Sequence, residues 1–362
     1  MRPGHLDQPL LVLRWAIALI LSLAVFPEAA RADIVVAGVW ALRGGSTVQA
    51  VELAVDKINE GGGLLGEKVR LVSFDEGCSD LQGAAVAQLV LTAHPSLVIG
   101  HECSGPAIAA APIYAAAGVV QIAPNATAPK LTEMGIGSVF RLIGRDDRQG
   151  AEAADKIART WPHARIAVIE DGTLYGTGLA DIVGQELRGK GIDSVATYTL
   201  THDHAGILGA IKRDKVELIY FACNFTSDAF MFMRRLGKVP GLTILASDTA
   251  TDLGDWRQRF GIDISLLYTS YWDPFVSPAA KALQAESQAK GVLFTSRAVR
   301  AYSVVELWAD AVRRAGSVDA ARVAEALHIG RFQTVIGEVV FDAQGDVEGP
   351  PAQWVWHRLG GS

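Results

Sequence analysis

Residues 97–118, LVIGHECSGPAIAAAPIYAAAG, decide the fold. Leu97, Val98 and Ile99 form a short apolar run of the kind that fills a buried strand, and Gly100 ends it. The alanine-rich stretch beyond reads as a helix that stops at Gly118, and Pro106 suits its first turn. A strand running straight into a helix puts Cys103, Ser104 and Gly105 on the corner. Ser104 has three readings there, taken in this order. It can touch a ligand beside the free amides of the helix N-terminus, where the helix dipole favours an anion such as a carboxylate. It can cap its own helix. It can be a nucleophile, but ECSGP lacks the G-x-S-x-G elbow and no Ser-Asp-His order supports it.

Working outward, the same alternation repeats. IVVAGVW (34–40), KVRLVSFD (68–75) and VVQIAP (119–124) read as strands, and STVQAVELAVDKINE (46–60) and LQGAAVAQLVLTA (81–93) as helices. Ser46 is the expected N-cap of the first helix, and Gly61 lies past its end. Further on, 147–160 and 178–191 read as helices, and 165–171, 194–200, 216–222 and 242–247 as strands. Apolar strands alternating with amphipathic helices make parallel sheets covered on both faces, so the fold class is α/β. The spacing loosens near 145 and near 271, which divides the chain into two α/β lobes. No internal repeat is visible at the residue level. Sheets of this kind bind ligands at the carboxyl ends of their strands. The corners to inspect are therefore 40–47, 101–105, 123–127, 171–176, 222–227 and 247–251.

With 362 residues, 50% hydrophobic and 20% charged, the chain can bury two cores. Its formal net charge of −6 argues against nucleic acid or an anionic membrane as partner. WAIALILSLAV (15–25) is an apolar core too short for a membrane span, and Ala30-Arg31-Ala32 offers a small-residue cleavage site before Asp33. Residues 1–32 are expected to be a signal peptide and the mature protein to be exported. An oxidising compartment permits a disulfide among the three cysteines. Cys78 and Cys103 each follow an apolar run, and a bridge between them would stabilise by roughly 3 kcal/mol. Cys223, after a strand-like run, reads as a small buried hydrophobe.

Other motifs carry little chemistry. GGGLLG (61–66) matches a dinucleotide fingerprint in letters, but follows a helix and precedes a strand, so it reads as a C-cap and turn. His202-Asp203-His204 reads as a solvated turn before a metal site. Asn125-Ala126-Thr127 and Asn224-Phe225-Thr226 are short sequons. No phosphate loop is present and no cofactor is expected.

DEGCSD, VIGHECSG, PIYAAAGVVQIAPNATAPKLTE and GRDDRQG, between residues 75 and 150, together resemble the periplasmic leucine/isoleucine/valine-binding proteins, type I solute-binding proteins of ABC importers. The likeness extends through EDGTLYGTGLA (170–180) and FDAQGD (341–346). It implies two Rossmann-like lobes joined by a three-crossing hinge: 33–145 with about 272–340, and 146–271 with about 341–362. It implies a disulfide between Cys78 and Cys103 and an amino-acid site in the interlobe cleft. Ser104, with Gly105 beside it, and Thr127 would bind carboxylate, and the corner at Asn125 would accept from ammonium through its carbonyl. Tyr175 and Asn224 would line the cleft. Asp248 would hold the ammonium in place of the family's glutamate. The expected partner is a membrane permease, the compartment the periplasm, the state a monomer, and no catalytic or metal role follows. A sensory receptor, an exported serine hydrolase on Ser104 and a binder of a non-amino acid or amide are the alternatives. Two departures bear on specificity. The first cleft loop, WALRGGSTVQA, is shorter than the family's, and the aromatic expected after the YFA strand is replaced at Asn224 or Phe225.

Overall fold

A computed structural model describes residues 33–41, 45–193, 195–224, 226–237, 239–252, 265–348 and 354–360. The expected signal peptide, residues 42–44 of the first cleft loop and Phe225 lie outside the described residues. β1 (Ile34–Trp40), α1 (Ser46–Glu60), β2 (Val69–Asp75), α2 (Gly83–Leu91), β3 (Leu97–Ile99), α3 (Ser104–Ala116), β4 (Val120–Ala123), α4 (Lys130–Glu133) and β5 (Val139–Arg141) come first. Their strands form a parallel sheet in the order β2-β1-β3-β4-β5. Next come α5 (Asp146–Thr160), β6 (Ile166–Glu170), α6 (Leu174–Gly189), β7 (Val195–Thr199), α7 (His204–Arg213), β8 (Leu218–Ala222), α8 (Ser227–Leu236), β9 (Thr243–Ala246) and β10 (Leu266–Tyr271). These strands form a second parallel sheet, β7-β6-β8-β9-β10. Three helices follow, α9 (Pro278–Ala289), α10 (Ser296–Ala315) and α11 (Ala320–Ile329). The chain then makes a small antiparallel sheet of β11 (Phe332–Thr334), β12 (Gly337–Phe341) and β13 (Val347–Glu348). β14 (Trp354–Leu359) adds antiparallel to the β10 edge of the second sheet.

Without β14, the two sheets share one winding: the first strand of each lies between the second and the third. Each therefore has a switch point, between β1 and β3 and between β6 and β8, where a crevice opens at the carboxyl ends. The apolar runs explain the burial. All five residues of β6 and of β8 are buried. Ala167 and Ile169 pack on one face with Phe221 and Phe232, while Val168 packs on the other with Leu179 and Tyr220. Alternate residues thus serve two cores, as a strand of period two covered on both sides must. Cys223 is a free thiol buried in the first of these cores, where desolvation pushes its pKa up. The first sheet packs against α1 and α10, through Val51, Val55, Tyr302, Val305 and Trp308.

The chain passes between the two sheets near three residues that pack together, Ile143, Tyr271 and Trp354. Gly144 lies beneath them: a Cβ there would fall 2.4 Å from the Tyr271 ring and 3.2 Å from the Trp354 indole. Trp354 Nε1 donates to the Arg145 carbonyl at 3.1 Å.

Several details differ from the sequence reading. Ser46 is the first helical residue and caps nothing; Gly45 precedes it, and no side chain caps α1. Phe341 and Val347 pack with the first core rather than with the second sheet. The cause is pairing: β12 holds β13, and Asp346 reaches Arg141 of β5. Among the described residues after β10, only β14 pairs with the second sheet. GGGLLG is a turn closed by a Leu64–Glu67 bridge after the Gly61 C-cap. Asp203 caps α7, accepting from Gly206 N at 2.9 Å.

Candidate functional site

The carboxyl ends of both sheets face one cavity of about 450 Å³. Ser104, Asn125 and Thr127 line it from the first sheet, and Tyr175, Asn224 and Asp248 from the second. Six of the seven candidate ligand residues thus share one wall system. Gly105 does not reach it. Its missing side chain makes room for Asp80 instead, since a Cβ would stand 1.7 Å from the Asp80 Oδ1.

The corner after β3 is anchored from inside. Glu76, 1% exposed, accepts from the Cys103 amide at 2.8 Å and lies 2.6 Å from His101 Nδ1. His101 Nε2 meets the Tyr114 hydroxyl at 2.9 Å. The Cys78–Cys103 disulfide ties the loop after β2 to the same corner, with Cα atoms 5.3 Å apart. Cys103 is the N-cap residue of α3, but its sulfur is committed to the disulfide and no side chain caps the helix. Ser104 is not the cap either: its Oγ accepts from the Ala128 amide at 3.2 Å. That bond leaves the hydroxyl proton to donate, next to uncapped helix amides.

Two arginines clamp the next corner. Arg141, fully buried, donates to the carbonyls of Ala128 at 2.7 Å and Ala126 at 3.4 Å. Arg300 of α10 donates from Nε to the Pro124 carbonyl at 3.2 Å and from Nη2 to Asn125 Oδ1 at 3.1 Å. A guanidinium only donates, so the Asn125 oxygen must face Arg300 and its Nδ2 must point elsewhere. That Nδ2 is buried with no partner among the described residues. The Asp146 amide at the start of α5 donates to the Thr127 carbonyl at 3.0 Å, which brings the Asp146 carboxyl beside this corner. Burial, reinforced by the nearby Asp248 charge, pushes Asp146 well above the usual carboxylate range.

On the facing wall Asp248 begins a 3-10 turn, yet its side chain turns into the site. Its Oδ1 accepts from the Tyr175 hydroxyl at 2.9 Å and from Gln149 Nε2 at 3.1 Å, and the residue is 8% exposed. Burial, then Asp248 and Asp146, push the Tyr175 phenol up, so it stays a donor. Asn224 is held by Asp171, which accepts from its amide N at 2.7 Å, and by Thr173 Oγ1 at 3.1 Å from its Nδ2.

The sequence reading missed part of the wall. Glu102, Thr226, Asp228, Thr249 and Arg297 also line the cavity. Glu102, Thr226 and Thr249 stand on corners that were singled out, next to residues chosen instead. Arg297 comes from α10, far from any strand end, and only packing brings it in. One further contact crosses the cleft. Asp80, two residues past the disulfide, accepts at 2.7 Å from the Leu174 amide at the N-terminus of α6.

The wall after β3 and β4 is thus rich in neutral donors, and the wall after β9 carries a buried, hydrogen-bonded carboxylate. An anion fits the first and a cation the second. The sequence matches the profile of the periplasmic binding proteins over residues 35–352. It is 33% identical over 341 residues to the Leu/Ile/Val-binding protein BraC3 of Rhizobium johnstonii, covering 91% of this chain and 92% of that one. An amino acid binding protein of Pseudomonas aeruginosa is 32% identical, with 82% and 80% covered. The crystal structure of an ABC transporter substrate-binding protein from Desulfitobacterium hafniense in complex with Leu superposes with a TM-score of 0.72 at 27% identity, covering 91% of this chain and 98% of that one. No helix among the described residues is long and apolar enough to cross a membrane. The fold, the disulfide-bonded corner and the profile match over most of its length agree: the chain belongs to the periplasmic binding protein family.

Proposed function

We propose that this is an exported solute-binding protein that captures an α-amino acid between two lobes and delivers it to the permease of an ABC importer. The observation that carries the reading is the pairing of opposite poles across one cavity. Ser104, Asn125 and Thr127 would meet a carboxylate, and Asp248 an ammonium. One lobe would hold the first sheet with α9–α11, the other the second sheet. The cluster of Ile143, Tyr271 and Trp354 would be the hinge. Residues 1–32 would direct export and be removed after Ala32. The relatives' names support both cargo and importer. Because the poles lie on different lobes, only the closed form satisfies both ends of a zwitterion, and ligand shifts the balance toward it by that difference in affinity.

Ser104→Ala and Thr127→Ala are each expected to weaken amino-acid binding by about 1.5–3 kcal/mol, the worth of a hydrogen bond to a charged group. Calorimetric titration reads the loss, and thermal unfolding checks that both variants fold. Unchanged affinity in both would place the carboxylate elsewhere.

Asp80 is expected to matter without touching the ligand. Its bond to Leu174 N forms only when the lobes meet, and a carboxylate at a helix N-terminus contributes ~1 kcal/mol. Asp80→Ala should therefore weaken binding about fivefold, since ~1.4 kcal/mol is tenfold, with the selectivity among ligands unchanged. A loss confined to some ligands would show that Asp80 contacts them instead.

A further inference from the structure

Among the described residues, no leucine, isoleucine, valine, phenylalanine, methionine or tryptophan lines the cavity. The described wall offers a side chain apolar contact from Ala41, the Cys78–Cys103 disulfide and the Tyr175 ring. Charged groups are present as well. Resting on the amino-acid reading above, we propose that the ligand's side chain ends in N–H donors, as an ammonium, guanidinium or carboxamide, and is recognised by Asp228.

Of the poles, Ser104, Thr127 and Asn125 serve the α-carboxylate and Asp248 the α-ammonium. Asn125 is 8% exposed; Arg300 holds its Oδ1, and its Nδ2 is buried with no partner among the described residues. Three charged residues of the wall remain. Glu102 Oε1 lies 3.3 Å from Arg297 Nη1, and Glu102 Oε2 accepts from the Ala41 amide at 2.9 Å. That ion pair balances itself. Asp228, in the first turn of α8, is left. Two imidazoles accompany it, His204 Nε2 at 3.1 Å and His202 Nδ1 at 3.3 Å. Burial is the largest single influence and raises its pKa, but the two imidazoles together outweigh it and hold the carboxyl below its ordinary value. With Asp248 taken by the α-ammonium and Glu102 by Arg297, Asp228 is the acid of the described wall that remains for the far end of the ligand. Such a wall favours a donor or a cation at the far end of the ligand and repels an acidic side chain. An aliphatic side chain would take water from these groups and return no hydrogen bond.

The test is calorimetric titration of the exported, disulfide-bonded protein with lysine, arginine, glutamine and asparagine, against leucine, isoleucine, valine, glutamate and alanine. The donor-bearing amino acids are expected to bind at least tenfold more tightly than the branched ones. Lysine and arginine against glutamine and asparagine tell a cation from an amide. Asp228→Asn should lower the affinity ratio of the preferred ligand to alanine at least tenfold, a readout that general loosening of α8 would not move. Tightest binding of leucine, isoleucine or valine would overturn the proposal and leave the amino-acid reading standing, as would an unchanged ratio in Asp228→Asn. If no amino acid binds and deaminated acids do, the amino-acid reading itself fails and this inference with it.

Discussion

Asp248→Asn is expected to lower amino-acid affinity by about two orders of magnitude, because a desolvated ammonium loses the charge that pairs with it. The substitution keeps the side chain's shape. Tyr175 and Gln149 both donate to Asp248 Oδ1, and the amide oxygen of asparagine can still accept from both. The 3-10 turn that begins here does not depend on the charge either, since Thr251 Oγ1 bonds to the Asp248 carbonyl and not to its carboxyl. Folding stability should therefore change little while binding collapses. A deaminated analogue supplies the control. It carries the carboxylate but no ammonium, so wild type should bind it weakly and the variant should bind it no worse. Titrating wild type and variant with both compounds separates the cases. If the variant holds the amino acid as tightly as wild type, Asp248 is not the ammonium partner, and an acid-binding protein becomes the better reading.

How much of this was legible beforehand follows from burial. Val168, Ile219 and Phe221 sit in strands whose every residue is covered, and a covered parallel strand can only read as an unbroken apolar run. Once the strands are placed, their carboxyl ends are placed too. That is why Ser104, Asn125, Thr127, Tyr175, Asn224 and Asp248 all reach one cavity although the sequence scatters them over more than a hundred positions. The shared winding of the two sheets left no trace in the letters, because a strand order is set by connections and not by residue identity. β11 to β13 escaped notice for a simpler reason: two to five residues are too few to show a period. Arg297 and Arg300 lay beyond reach altogether. Both come from the first turns of α10, a helix otherwise mostly buried, and their approach to Glu102 and Asn125 spans 195 and 175 residues of chain. Gly105 stands off the cavity wall beside Asp80, since adjacent residues at a helix start point in different directions.

The largest loss of stability is expected at Asp346, which stands outside the cavity and yet shapes it. Arg141 is fully buried, and desolvation, opposed chiefly by Asp346, leaves its guanidinium below its ordinary pKa. Its Nε donates to Asp346 Oδ1 at 2.7 Å, and its Nη2 to Thr132 Oγ1 at 2.6 Å. Thr132 in turn reaches both Asp346 oxygens at 3.0 Å, and Arg145 Nη1 adds a bond to Oδ2 at 3.1 Å. Asp346→Ala removes the only carboxylate hydrogen-bonded to Arg141 among the described residues and strands a cation in the core. Breaking a buried pair in this way costs about 3–5 kcal/mol, against the 5–15 kcal/mol that holds a typical domain together. Urea unfolding should show the midpoint fall accordingly. Asp346→Asn keeps an acceptor for Arg141 and should lose less. Binding should suffer as well, because the same guanidinium holds the Ala126 and Ala128 carbonyls that flank Thr127. A variant that still folds at low temperature should thus bind the amino acid more weakly, with the carboxylate end affected and the Asp248 end intact. In practice the deaminated analogue and the amino acid should lose affinity by the same factor. A loss of stability below about 1 kcal/mol, the range of an exposed pair, would show that the arginine finds water or another partner, and would remove Asp346 as the support of this corner.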